Sequence, residues 1–103
     1  MTSILCEYVN QKGSTVICLV NEWNDCVVAI DVDNMEKTYL SSFPIDEIFS
    51  DCMSESGIYF KNEYVDSLLQ YLEEKENEDL KQYILSNNIT ILNDKYEEVE
   101  LWN

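Results

Sequence analysis

Residues 15–33 read TVICLVNEWNDCVVAIDVD. Thr15 to Val20 and Cys26 to Asp33 are apolar runs rich in β-branched residues, and the polar segment Asn21-Glu22-Trp23-Asn24-Asp25 separates them. β-Branched side chains suit a pleated surface because a helix restricts their χ1 freedom. The two runs therefore predict antiparallel strands joined by a turn. The second run alternates, with Val28, Ile30 and Val32 on one side and Ala29, Asp31 and Asp33 on the other, which predicts one wet face.

The same pattern extends outward. Ile4 to Val9 predicts a preceding strand, and Asn10-Gln11-Lys12-Gly13 a turn in which Gly13 suits a positive φ. Asn34 to Lys37 predicts a further turn and Thr38 to Phe43 a fourth strand, completing a meander. At Pro44 the period changes. Proline fits the first turn of a helix, where its missing N–H has no partner to lose. Ile45, Ile48, Phe49 and Cys52 recur at helical spacing, so a helix is expected from Pro44 to about Met53, stopped by Ser54-Glu55-Ser56-Gly57.

The clearest helix runs from Asn62, a good cap, to Lys75. Tyr64, Val65, Leu68, Leu69 and Leu72 form its apolar stripe, with Glu63, Asp66, Gln70, Glu73 and Glu74 opposite. Asn77 can cap a further helix with Glu78 and Asp79 in its first turn, where the helix dipole favours negative charge. Its inner face is Leu80, Tyr83 and Ile84, and Asn87-Asn88 stops it. Ile89 to Leu92 is β-prone, Asn93-Asp94-Lys95 signals a turn, and Tyr96 to Trp102 alternates. In that ending Val99 and Leu101 are expected to face the core, and Glu98, Glu100 and Trp102 to face outward. The fold class is α+β. An N-terminal antiparallel meander of three to four strands precedes two to three helices and a short C-terminal hairpin or edge strand, in one domain spanning residues 1–103.

Composition narrows the function. The chain carries 21 acidic residues against six lysines, for a net charge of −15, and has no histidine. Without histidine the Ser-His and Cys-His nucleophile arrangements cannot be built. Cys6, Cys18, Cys26 and Cys52 lie too far apart in sequence for a zinc knuckle or ribbon and are expected to be buried free thiols. Asp31, Asp33 and Glu36 cluster, but Met35 interrupts the ligand series of a calcium loop and its glycine is missing. Gly13 and Gly57 are isolated, so no phosphate-cradling loop exists. The lysines are scattered among acids, which argues against direct nucleic-acid binding. No catalysis, cofactor or metal is expected. The start, MTSILCEYVNQKG, has no signal-peptide character, and no apolar run is long enough to cross a membrane, so the expected location is the cytosol of a bacterium or phage-infected host.

What remains is binding. Such a field repels nucleic acid and anionic membrane and steers basic partners inward. Glu63, Asp66, Gln70, Glu73 and Asn77 fall on one expected ridge, extended by Glu74, Glu76, Glu78 and Asp79. A row of carboxylates can stand in for backbone phosphates. Trp23, whose polar turn leaves exposure and folding back over the sheet edge both open, and Trp102, beside Glu98 and Glu100, are the candidate aromatic anchors. In size, charge and lack of an active site the chain is similar to acidic inhibitors among bacteriophage counter-defence (anti-CRISPR) proteins and nuclease-toxin immunity proteins. That likeness of class implies a basic, nucleic-acid-binding enzyme as partner and carries over no residue. Two other classes fit the same composition. One is an acidic secretion or assembly chaperone that dimerises through its helix stripe. The other is a non-catalytic adaptor of a mobile element whose charge serves solubility alone. Either a monomer or a homodimer is compatible with the sequence.

Overall fold

The computed structural model describes residues 2–21, 23, 26–41, 44–74 and 78–100. The elements follow as β1 Thr2–Val9, β2 Thr15–Asn21, β3 Val27–Asp31, β4 Glu36–Leu40, α1 Ile45–Asp51, β5 Gly57–Phe60, α2 Asn62–Glu73, α3 Glu78–Ser86 and β6 Thr90–Leu92. The fold is α+β, as its sequence predicts, and the six strands form one sheet ordered β4-β3-β2-β1-β5-β6. Strands β1 to β4 are the antiparallel meander. β5 pairs antiparallel with β1, and β6 pairs parallel with β5 after the chain has crossed over through α2 and α3.

The three helices lie on one face of the sheet. Ile45, Ile48 and Phe49 of α1, Leu68 and Leu72 of α2, and Ile84 of α3 share one core with Cys6, Val16, Cys18, Val20, Val27, Ile58, Phe60 and Ile91. The rings of Phe49 and Phe60 stack with centroids 6.3 Å apart. The register shifts between Ile4 and Cys6, which turns Leu5 inward beside Cys6. The stripe of α2 is therefore core and not a free surface.

Registration fixes what the other face carries. Directly opposed residues of neighbouring strands share a face. Ile4, Leu19, Val28 and Tyr39 form one row across β1 to β4. Glu7, Ile17, Ile30 and Lys37 form the next. Consequently β3 lies opposite to the expected sense. Ala29 pairs with Cys18 and packs against the core, while Val28 and Ile30 occupy the helix-free face.

Turns and caps account for the remaining departures. Asn10 Oδ1 accepts the amides of Lys12 and Ser14 at 3.0 and 2.9 Å, and Gly13 takes φ +85° in this turn. β3 ends at Asp31 and not at Asp33, because Asp31 Oδ1 accepts the amides of Asp33 and Asn34 and starts the turn early. β4 accordingly begins at Glu36, two residues before its expected start. α2 stops at Glu73, with Glu74 extended at ψ 144°, where the pattern predicted Lys75. Asn62 is the first helical residue, with Lys61 as its N-cap, and its Oδ1 accepts the Asp94 amide at 3.1 Å. Among the described residues of the expected strand Tyr96–Trp102, pairing is a single bridge between Leu92 and Glu98, and Tyr96 adopts φ +59°. Val99 packs inward as expected. Asn77, the expected cap, and Leu101 lie outside the described residues.

Candidate functional site

The carboxylates of the helix layer follow from its sequence. Asp46, Glu47 and Asp51 lie on α1, Glu63, Asp66 and Glu73 on α2, and Glu78 and Asp79 on α3, against a single lysine, Lys81. Asp46, Glu47, Glu63, Glu78 and Asp79 sit in first turns, where unpaired backbone amides favour negative charge. No base occupies any last turn. Lys81 approaches Glu78 at 3.9 Å, a surface pair worth little.

Of the sequence-predicted binding residues, Glu63, Asp66, Glu73, Glu74, Glu78 and Asp79 are exposed. They do not form one straight ridge, because the chain leaves the α2 path at Glu74. Trp23 is exposed over 73% of its surface at the β2–β3 turn. Glu98 and Glu100 are exposed beside β6. Glu76 and Trp102 lie outside the described residues. Tyr59 and Tyr71 are half-buried, and their hydroxyls donate to Asp94 at 3.0 Å and Asp46 at 3.1 Å. Tyr39 and Tyr96, exposed to 73% and 70%, are aromatic surface that sequence reasoning did not single out.

Folding also creates a feature that no single segment announces. Between α1 and the β3–β4 end of the sheet lies a cleft of about 280 Å³. Asp31 and Glu36, opposed across β3 and β4, line it together with Glu47 and Asp51, one helical turn apart on α1. Tyr8, Val16, Ala29 and Leu40 supply apolar surface, and Lys12 is the single cation among the lining residues. Tyr8 OH donates to Asp51 Oδ2 at 3.0 Å and fixes one carboxylate. Asp31 is fixed by its turn. Asn34 Nδ2 donates to Asp31 Oδ2 at 2.9 Å, and this bond, with the amides of Asn34 and Asp33, holds the carboxyl below its ordinary range. The pattern of β3 hid it, because Ala29 and Asp31 are expected together on the wet face and the strand's actual sense turns that side toward α1.

Carboxylates set around an apolar floor have the chemistry to receive a guanidinium or ammonium group with an aliphatic stem. Among the described residues no group of three or more metal-ligating side chains converges. Cys6, Cys18 and Cys52 are buried free thiols, as expected, and Cys26 is half-buried and free. Burial raises the Cys6 thiol well above its ordinary pKa and pushes Cys52 up to about 11, so both stay protonated and weakly reactive at neutral pH.

Among the described residues no helix is long and apolar enough to cross a membrane. No family model, curated protein or solved structure matches the chain.

Proposed function

We propose that this chain is an acidic, non-catalytic binding protein that inhibits a basic, nucleic-acid-binding enzyme by occupying its cationic surface in the cytosol. The observation that carries this reading is the cleft in which Asp31, Glu36, Glu47 and Asp51 face one lysine. It lies beside a helix layer whose exposed charge is almost wholly negative. A protein that normally grips phosphates meets there a comparable array of anionic oxygens. The charges set encounter rate and orientation. Exposed Trp23, at the opposite end of β3, supplies apolar contact energy. Leu68 and Leu72 of the α2 stripe are buried in this chain's own core, so a dimerising chaperone would need a different interface.

The test is capture of partners by the immobilised chain, eluted with rising salt, beside the variant Glu36→Gln/Glu47→Gln. The reading expects a basic protein that elutes as the Debye length shrinks from about 10 Å at 0.1 M to about 3 Å at 1 M. It also expects weaker capture by the variant. Salt-independent capture that ignores the two neutralised carboxylates contradicts it.

A further inference from the structure

The helix-free face of the sheet is aliphatic where a solvated antiparallel face is ordinarily polar. β2 is apolar at every position from Val16 to Val20, and β3 from Val27 to Ile30. Runs of that kind belong to strands covered on both faces. Here α1, α2 and α3 cover one, and Ile4, Ile17, Leu19, Val28 and Ile30 stand on the other, each half-exposed. The charge distribution is as unusual as the apolarity. In a chain of net charge −15, the residues of β1 to β4 on this face include one acid, Glu7, and one base, Lys37, while Glu98, opposed to Leu92, and Asp94, which accepts the Tyr59 hydroxyl, lie toward β5 and β6. Over β1 to β4 a basic partner would find no excess of negative charge. Among the described residues neither Glu7 nor Lys37 belongs to an intramolecular salt bridge.

The placement of these two charges identifies the occupant. Glu7, Ile17, Ile30 and Lys37 are opposed in sequence across β1, β2, β3 and β4. A twofold axis parallel to the strands, midway between β2 and β3, sends β4 over β1 and β3 over β2. It lays Lys37 over Glu7 of the other copy twice, and Ile30 over Ile17. In the neighbouring row it lays Val28 over Leu19 and Tyr39 over Ile4. Such self-complementarity is what an isologous interface requires. Two sheets packed this way align at about 30° and about 10 Å apart, within reach of a lysine and a glutamate meeting across the gap. We propose that a second copy of this chain covers the helix-free face, forming a back-to-back sheet dimer with Glu7–Lys37 pairs at both flanks. The helix layers and their carboxylates then point outward on both sides, so this inference stands apart from the cleft.

Sedimentation equilibrium of the full chain tests it. Two copies of like net charge repel, so the apolar association is expected to tighten as salt rises from about 0.05 to about 0.5 M, opposite to a contact with a basic partner. Glu7→Lys and Lys37→Glu each place like charges in opposition at both flanks. Each is expected to weaken self-association by about tenfold or more. An equimolar mixture of the two variants is expected to associate again, because every flank then pairs opposite charges. Within one copy Glu7 is half-buried and Lys37 exposed, and neither belongs to the core, so the variants are expected to keep the fold, which circular dichroism verifies. A monomeric mass at every salt concentration overturns the proposal. So does a dimer that ignores both variants, or one that the mixture fails to restore.

Discussion

Tyr8 and Asp51 are 43 residues apart in sequence and joined by a 3.0 Å hydrogen bond from the phenol to Oδ2. The bond ties β1 to the end of α1 and sets one wall of the acidic cleft. Tyr8→Phe removes the donor while keeping the buried ring, and Asp51 is free to turn to water. A loss of about 1 kcal/mol is expected. Thermal melting reads this as a fall of about 5 °C in Tm for a chain of this size.

Stability should fall in alkali. Burial raises the pKa of Cys6 and of Tyr8, and brings Cys52 from 9.0 to about 11. Below pH 9 the folded and unfolded chains both hold these protons, so the three groups add no pH dependence. Above it the unfolded chain releases protons that the folded chain retains, and stability falls as pH rises. Urea midpoints measured from about pH 8 to about pH 10 check this. Cys52→Ala lowers the midpoint throughout yet flattens its decline, whereas an unchanged slope contradicts the assignment.

The sequence made much of this fold legible, and the exceptions have physical causes. β-Branched runs marked β1 to β3, and the change of period at Pro44 marked the start of the helices. β5 was not foreseen, because Gly57-Ile58-Tyr59-Phe60 is four residues long and lies between a turn and a cap. It is held by long-range pairing with β1 and β6, which leaves no local periodicity. The cleft escaped for a related reason. Asp31 and Glu36 come from a hairpin, Glu47 and Asp51 from a helix, and only the sheet order brings them together. Trp23 illustrates the converse. Its polar neighbours left exposure and folding-back both open, and the structure shows it exposed.

Met35 should be improvable. It adopts φ +57° in the β3–β4 turn and is exposed over 84% of its surface, so its side chain contributes little packing. A left-handed conformation costs a non-glycine residue about 1–2 kcal/mol. Glycine removes that strain and returns part of the gain as unfolded-state entropy. Met35→Gly is therefore expected to stabilise by about 0.5–1 kcal/mol, seen as a higher urea midpoint with an unchanged m-value.

The C-terminal segment closes the sheet edge. The Val99 amide donates to the Ile91 carbonyl at 2.8 Å, Glu98 bridges Leu92, and Val99 packs against the core. Tyr96 lies against Tyr59 with ring centroids 5.1 Å apart. Removing residues 96–103 uncovers the outer edge of β6 and part of Tyr59, so Tm is expected to fall by several degrees. Val99→Ala should reproduce part of that fall, since it withdraws apolar contact worth about 1 kcal/mol at a half-buried site. If the deletion leaves Tm unchanged, the segment contributes nothing to the fold.

Trp23 separates binding from folding more cleanly than any carboxylate. With 73% of its surface exposed at the β2–β3 turn, it contributes little to the core. Exposed tryptophans are costly to solvate and are over-represented among the residues that dominate protein interfaces. Trp23→Ala is expected to change stability by no more than about 0.5 kcal/mol, read from thermal melting. It is also expected to weaken capture of a basic partner by about 2 kcal/mol, or roughly thirtyfold. The salt dependence of the remaining binding should persist, because the carboxylates that produce it are intact. Calorimetry at two salt concentrations distinguishes the outcomes. Equal loss at both concentrations identifies an apolar anchor acting beside the charges, and undiminished affinity places the contact surface away from this turn.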